Sequence, residues 1–349
     1  MSLLGFISKS RCQAAPTSQD SFVGGSLAPF TGVLPPSDES LLCRNCRHRM
    51  CFLAQIYCPL SNSSYHRTLY FFVCLRNECQ KAGGGWLVLR SQAQFPAAPP
   101  ARSCSPTEWA LDDDDDDAGD ELPDVLSSPQ LKKPEDLNLS DIAGPFSCSF
   151  IDVFEEQHTS SSPAIDLHEN PGDLRDSPVP DHSTLTAWIQ LDKIEQAFVD
   201  EDDNAPKAGF SGGLQNHLNS RGEYGCEDFR YCWAGRPIFD GPPPPELAQH
   251  LVCPRCHSRR VFEIQIFATV NNSLIFDPVI GTNKMRPYDL PDEPELNKQW
   301  PLNITTVLVF SCSAACWDDS CSWVEECVVI QTDENRTFIR DGSSITVCS

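Results

Sequence analysis

Eight cysteines fall into two ordered sets along this chain, and their spacing points to one kind of chemistry. Cys43 and Cys46 enclose two residues in CRNCRHRM, and Cys253 and Cys256 do the same in CPRCHSRR. Each pair leads into a β-type run and is followed by two more cysteines, Cys74 and Cys79 in the first case, Cys312 and Cys316 in the second. Zinc prefers four tetrahedral thiolate or imidazole ligands, and a Cys-x-x-Cys turn delivers two sulfurs at a suitable separation. A second pair, carried at the end of a neighbouring strand, completes a ribbon-like site. Cys43, Cys46, Cys74 and Cys79 therefore form one candidate zinc set, and Cys253, Cys256, Cys312 and Cys316 the other. Four thiolates leave no open coordination position, so both sites are expected to be structural. Each would add about 10–16 kcal/mol to folding.

The competing reading is that some of these cysteines are plain buried hydrophobes. Zinc turns usually place glycine soon after the second cysteine, and here Arg47 and His257 stand in that place. Cys51, Cys58, Cys321 and Cys327 lie close enough to substitute as ligands, whereas Cys12, Cys104, Cys148 and Cys348 fit no pattern. With 18 cysteines a disulfide framework is the other alternative. The paired spacing, in a chain whose start MSLLGFISKSRC does not read as a signal peptide, favours metal in a reducing compartment. No run approaches the roughly 18 apolar residues of a membrane span, so no membrane partner is expected.

The elements that must position the cysteines read as β. FLAQIYCPL (52–60) and HRTLYFFVC (66–74) are rich in aromatic and β-branched residues, with SNSSY as a turn between them. Near the other pair, RVFEIQIFATV (260–270) alternates Phe262, Ile264 and Ile266 with Glu263 and Gln265, and TTVLVFSC (305–312) and EECVVIQTDE supply further strands. Placed side by side the two regions repeat: Cys-x-x-Cys, then AQIY or IQIF, then a strand ending YFFVC or LVFSC, then one more cysteine. A supersecondary unit recurs. The fold class expected is mainly β: two pseudo-repeated zinc-ribbon-like modules, residues 20–95 and 226–340, packed into one body. Each offers too few strands to stand alone.

Between them, residues 96–225 read as an acidic, Pro/Ser-rich disordered linker. From Glu108 to Asp203 there are 27 acidic residues against four basic ones, a balance of −23 that equals the net charge of the whole chain. LDDDDDDAGDELPD repels itself and has little apolar surface to bury. Within this stretch STLTAWIQLDKIEQAFVDE has near-helical apolar spacing and predicts a short helix near 184–199. Leu131, Leu137, Leu139 and Ile142 have a spacing that an exportin groove reads, against the plainer reading of scattered leucines.

No catalytic constellation is visible. His66 and His257 lack a Ser or acidic partner at a recognisable spacing, and Gly83–Gly85 lack the lysine of a phosphate loop. The expectation is a protein that is not an enzyme.

The ordered strings FVGG, CRNC, QIYCPL, HRTLYFFVC and GWLVLRSQ, then YCWAGRPIF, CPRC, RRVFEIQIF, TTVLVFSCSAACW and EECVVIQ, resemble the programmed cell death protein 2 family. The likeness covers about residues 22–95 and 229–335. It is to the shorter "programmed cell death protein 2-like" branch, related to a fungal pre-ribosome factor and lacking an inserted MYND-type finger. The resemblance implies a dedicated chaperone that escorts a newly made small-subunit ribosomal protein, of the universal S-five family, towards 40S assembly. It also implies a cytoplasmic protein shuttling through the nucleus. The alternatives are a zinc-containing nucleic-acid binder, with Arg44, Arg47 and Arg49 or Arg255, Arg259 and Arg260 on phosphate, and a signalling adaptor linked to cell death or cell-cycle control. Net charge argues against direct nucleic-acid binding.

Overall fold

The computed structural model describes residues 2–61, 63–95, 142–156, 227–276, 302–332, 336–342 and 344–348. The acidic run, the helix expected near 184–199, and Leu131, Leu137 and Leu139 lie outside them. The described strands are β1 (Leu3–Arg11), β2 (Phe22–Val23), β3 (Cys51–Tyr57), β4 (Tyr65–Val73), β5 (Trp86–Gln94), β6 (Ser149–Glu155), β7 (Phe229–Tyr231), β8 (Arg260–Phe267), β9 (Thr306–Cys312), β10 (Val324–Glu325), β11 (Cys327–Gln331), β12 (Thr337–Asp341) and β13 (Ser344–Cys348). Short helices α1 (Asn77–Lys81), α2 (Leu247–His250) and α3 (Val270–Ser273) lie at the connections. No described helix is long and apolar enough to cross a membrane.

All thirteen strands belong to one sheet, in the order β10-β5-β4-β3-β2-β6-β1-β7-β8-β9-β11-β12-β13, and every pairing is antiparallel. The repeat seen in the sequence is visible in the pairing. β3-β4-β5 of the first half corresponds to β8-β9-β11 of the second. Both leading strands carry an irregularity at the same place, between Phe52 and Ala54 and between Phe262 and Ile264. Such a bulge moves the next residue to the other face. Phe262 therefore joins an outer cluster with Leu308, Phe310 and Val329, while Ile264 and Ile266 enter the central core. The alternation in RVFEIQIF does not mark a wet face: Glu263 and Gln265 are fully buried. Gln265 holds the preceding loop by hydrogen bonds with the Ile238 backbone, and Gln55, its counterpart, does so with Thr17, Asp20 and Ala28.

The two halves form one body because the sheet closes on itself. β10 and β11 are one stretch interrupted by Glu326. Val324 and Glu325 pair with Arg90 and Leu89 of β5, the Glu326 N–H donates to Val88 at 3.0 Å, and Cys327–Gln331 then pair with β9. The central core accordingly draws on both halves, with Leu69, Phe71, Val73 and Trp86 packed among Ile264, Val307, Val309 and Val328. Buried ion pairs cross the same seam. Arg67 grips Glu263 through its two terminal guanidinium nitrogens, the Nη2–Oε2 contact being 2.7 Å, and neither side chain reaches solvent. Arg90 pairs with Glu326 and is equally enclosed. Burial works against the Arg67 charge, but the Glu263 carboxylate beside it and the neighbouring Cys58 together raise its pKa above the ordinary value.

The ordered body extends past the boundaries read from the sequence. β1 precedes residue 20, β12 and β13 run past 340, and residues 142–156, assigned to the linker, contribute β6 at the centre of the sheet. Two glycines seat that insertion: Gly24 and Gly25 both have φ 68°, and a Cβ on Gly24 would lie 2.3 Å from the Ser147 carbonyl. The Gly25 N–H donates to Phe146 at 2.8 Å, and the Leu27 N–H to Ile142 at 3.0 Å. Ile142 is itself buried beside Leu27 and Phe52, so the last hydrophobe of the export-like spacing belongs to the core.

Replacing Arg67 with Met is expected to destabilise the chain by about 3–5 kcal/mol, because Glu263 is left buried without a partner. Arg67→Met combined with Glu263→Met should recover most of that loss; denaturant unfolding of the full chain measures both. A protease site inserted between residues 157 and 226 should, once cut, leave two parts that co-elute on a sizing column.

Candidate metal centres

Each Cys-x-x-Cys lies on a tight hairpin tip whose closing bridge is Leu42 with Arg49 or Val252 with Arg259. The backbone pattern is the same in both. The Cys43 N–H donates to His48 at 2.7 Å and the Arg47 N–H to Cys43 at 2.9 Å; Cys253 to Ser258 and His257 to Cys253 repeat this at 2.8 and 2.9 Å. This turn requires a left-handed residue after the second cysteine, and Arg47 (φ 61°) and His257 (φ 60°) supply it. The glycine expected there is thus absent while its conformation is kept, at a cost of about 1–2 kcal/mol per residue.

The second pair comes from the neighbouring strand's end. Cys74 follows β4, with its N–H bonded to Gly85 at 2.7 Å, and Cys79 sits in α1. Cys312 ends β9, and Cys316 follows a turn in which Ala315 has φ 44°. In each set all four sulfurs lie within 4.8 Å of one another. Cys46 and Cys74 are 3.7 Å apart, Cys253 and Cys316 3.7 Å, and Cys256 and Cys312 3.4 Å. A tetrahedron with metal–sulfur bonds of about 2.3 Å needs sulfur separations of about 3.8 Å. Both sets can hold a metal ion, and the donor chemistry is compatible with zinc.

The electrostatics lead to the same conclusion. Hydrogen bonding from the Cys74 thiol holds Cys43 down to about 5, and the same bond pushes Cys74 well up. Cys79 is pushed to about 12, first by burial and then by the Cys43 charge. In the second set, bonds from Cys312 and Cys316 drive Cys253 down, and Cys316 rises to about 12 chiefly through its bond to Cys253. One sulfur ionises readily and its charge resists the next ionisation. A divalent cation removes that obstacle, and its binding releases the remaining protons.

The substitutes considered from sequence are otherwise engaged. Cys58 accepts from Arg67 at 3.1 Å, the Cys321 thiol donates to the Trp323 carbonyl at 3.0 Å, and Cys51 and Cys327 are core residues. Burial pushes the Cys327 thiol up to about 12. Cys12 and Cys148, which fit no pattern, face one another with sulfurs 2.9 Å apart. His66 is a packing residue, bonded through Nδ1 to the Tyr57 hydroxyl at 2.9 Å, with its ring centroid 4.0 Å from that of Phe95 at a tilt of 47°.

What sequence reasoning missed is that each centre is gripped by the opposite half. Arg44, inside the first Cys-x-x-Cys, reaches Glu325 of β10 at 3.1 Å, and Arg340 of β12 holds the other oxygen of that carboxylate at 2.8 Å. Arg90 of β5 donates to the Cys316 carbonyl at 2.9 Å and lies 5.6 Å over the Trp317 ring. Ionic residues inside otherwise apolar runs, in WLVLRSQ and EECVVIQ, are the signal that could have located this.

A closed antiparallel sheet with a four-cysteine cluster in each half defines a β protein with two sites that can hold a metal ion. Residues 2–98 match the profile of the programmed cell death protein 2 N-terminal domain, and residues 225–332 that of its C-terminal domain. Three relatives named "Programmed cell death protein 2-like" are each 23% identical. The Mus musculus protein aligns over 94% of this chain and 95% of its own length, the Homo sapiens protein over 93% and 95%, and the Gallus gallus protein over 85% and 86%. The chain belongs to the programmed cell death protein 2 family. No solved structure matches it.

Elemental analysis of protein purified without added metal is expected to give two zinc per chain, falling to one in Cys46→Ser or Cys256→Ser. Arg47→Gly should keep both. Arg47→Val, which puts a β-branched residue at positive φ, should weaken retention at the first site under chelator challenge.

Proposed function

We propose that this protein is a non-catalytic escort for a newly made, strongly basic small-subunit ribosomal protein. In this reading both cysteine sets hold zinc as folding clasps, and the protein works in the cytoplasm and shuttles through the nucleus. The observation that carries it is the placement of charge. The stretch that bears the whole net charge of −23 enters and leaves the same closed body, from β5 to residue 142 and from residue 156 to β7. Carboxylates tethered at both ends to one rigid body stay at high local concentration beside it. They can screen a basic client until ribosomal RNA replaces them, while the sheet supplies the specific grip.

The nucleic-acid alternative loses three of its six candidates to internal pairing. Arg44 is held by Glu325 at 3.1 Å, Arg49 by Asp38 at 3.2 Å, and the buried Arg260 by Asp341 at 2.8 Å. The acidic stretch would also compete with a polyanion for the remaining basic groups.

Pull-down of tagged protein from translating lysate, with sequencing of associated messages, tests the reading. Enrichment of one small-subunit ribosomal protein message is expected; broad recovery of unrelated RNAs, insensitive to translation arrest, would overturn it. Replacing Asp112–Asp117 with Ser and Asn should slow client association by about tenfold and flatten its salt dependence, because remote charges mainly steer encounter. Cys253→Ser with Cys256→Ser should abolish capture by unfolding the half that holds the second clasp.

A further inference from the structure

We propose that the outer edge of β6, over Asp152–Glu155, is an acceptor edge that binds an extended basic peptide segment by strand addition. β6 pairs along its length with β1, but on its other side β2 covers only Ser149 and Phe150. The Ile151 N–H donates to Ser21 at 3.0 Å, and beyond it no described strand pairs with this side.

The register identifies which groups are left open. Gly5 of β1 accepts from Asp228, and the Ile7 N–H donates to the Asp228 carboxylate, so these odd-numbered residues of β1 turn away from β6. Leu4 and Phe6 turn towards it, and their partners Phe154 and Asp152 use their backbone groups on β1. The Glu156 N–H, bonded to Ser2 at 2.9 Å, continues that alternation. The N–H and C=O groups of Val153 and Glu155 therefore point outwards along the open edge.

Natural edges are normally blunted by lysine, proline or a bulge. This one carries none of these over Asp152–Glu155. It presents two hydrophobes, Val153 and Phe154, which are 51% and 57% exposed, and two exposed acids, Asp152 and Glu155. Each face of the strand thus offers one acid and one hydrophobe, and Phe154 is braced edge-on against Phe6 at 5.7 Å. An added strand that alternates basic and apolar residues meets its complement on both faces. Like charge disfavours the two nearest competitors: the chain's own acidic stretch, and the same edge of a second copy. The proposal deepens the escort reading and rests on it only for the partner's identity.

The probe is a short blocked peptide alternating Lys and Val, added to the full zinc-loaded chain. Hydrogen exchange should slow at the Val153 and Glu155 amides. Val153→Pro removes an outward N–H without breaking a bond to β1, so it should weaken peptide binding about tenfold and leave thermal unfolding unchanged. Asp152→Lys with Glu155→Lys changes only exposed side chains, and should reject the Lys/Val peptide and admit a Glu/Val one. Unchanged affinity in both variants, or protection at β13 instead, would overturn the proposal. Protection that rises with protein concentration alone would replace it with self-pairing. Enrichment of a ribosomal-protein message with β6 amides unprotected would sink this inference and keep the escort reading; a protected edge with no enriched message would do the opposite.

Discussion

A charge enclosed in a β sheet has to meet its counter-charge there, and for the two most deeply enclosed pairs of this fold the counter-charge lies in the other half of the chain. Arg67 and Arg90 come from the first half, Glu263 and Glu326 from the second, and none of the four is more than 2% exposed. Truncating either partner would strand an ion in low dielectric, a far larger penalty than the net value of the pair. Each half therefore carries ions that only the other can neutralise. Arg44 and Arg90 extend this to the cysteine loops: Arg44 ties the first cluster to Glu325 of the second half, and Arg90 of the first half holds the Cys316 carbonyl of the second cluster.

The metal centres and the ionic seam divide the work. A four-cysteine cluster loaded with metal would fix a hairpin tip to the end of the next strand, a local task that a small β unit cannot manage with its own core. It does not determine which half meets which. The seam does that, and the strand from Val324 to Gln331 completes it by spending its first residues on β5 and the rest on β9. Among the described strands, the outer side of β6 beyond Ile151 is left without a partner strand.

Much of the site was legible because cysteine spacing is a local signal: all eight predicted ligands fall into two groups of four. The repeat was legible for the same reason, since both halves write the same strand with the same buried glutamine, Gln55 and Gln265. β6 was not. Its seven residues are embedded in a stretch of −23, and averaging charge over that stretch hides a short alternating run. The left-handed turns were hidden too, because Arg47 and His257 adopt them without being glycine. The closure was half legible: ionic residues inside the apolar runs WLVLRSQ and EECVVIQ mark its two ends, but not their pairing. Glu326 pairs with Arg90 across 236 residues, and nothing in either neighbourhood names the other.

That separation has a consequence for the order in which the molecule is made. β5 is complete early in synthesis, yet its outer edge stays bare until β10 emerges more than two hundred residues later. An unfinished edge on a nascent chain is where molecules stick to one another, and contacts so distant in sequence form late. The residues delivered during that wait include the whole acidic stretch. Neighbouring half-made chains on one message would then repel each other most strongly while their sheets are still open.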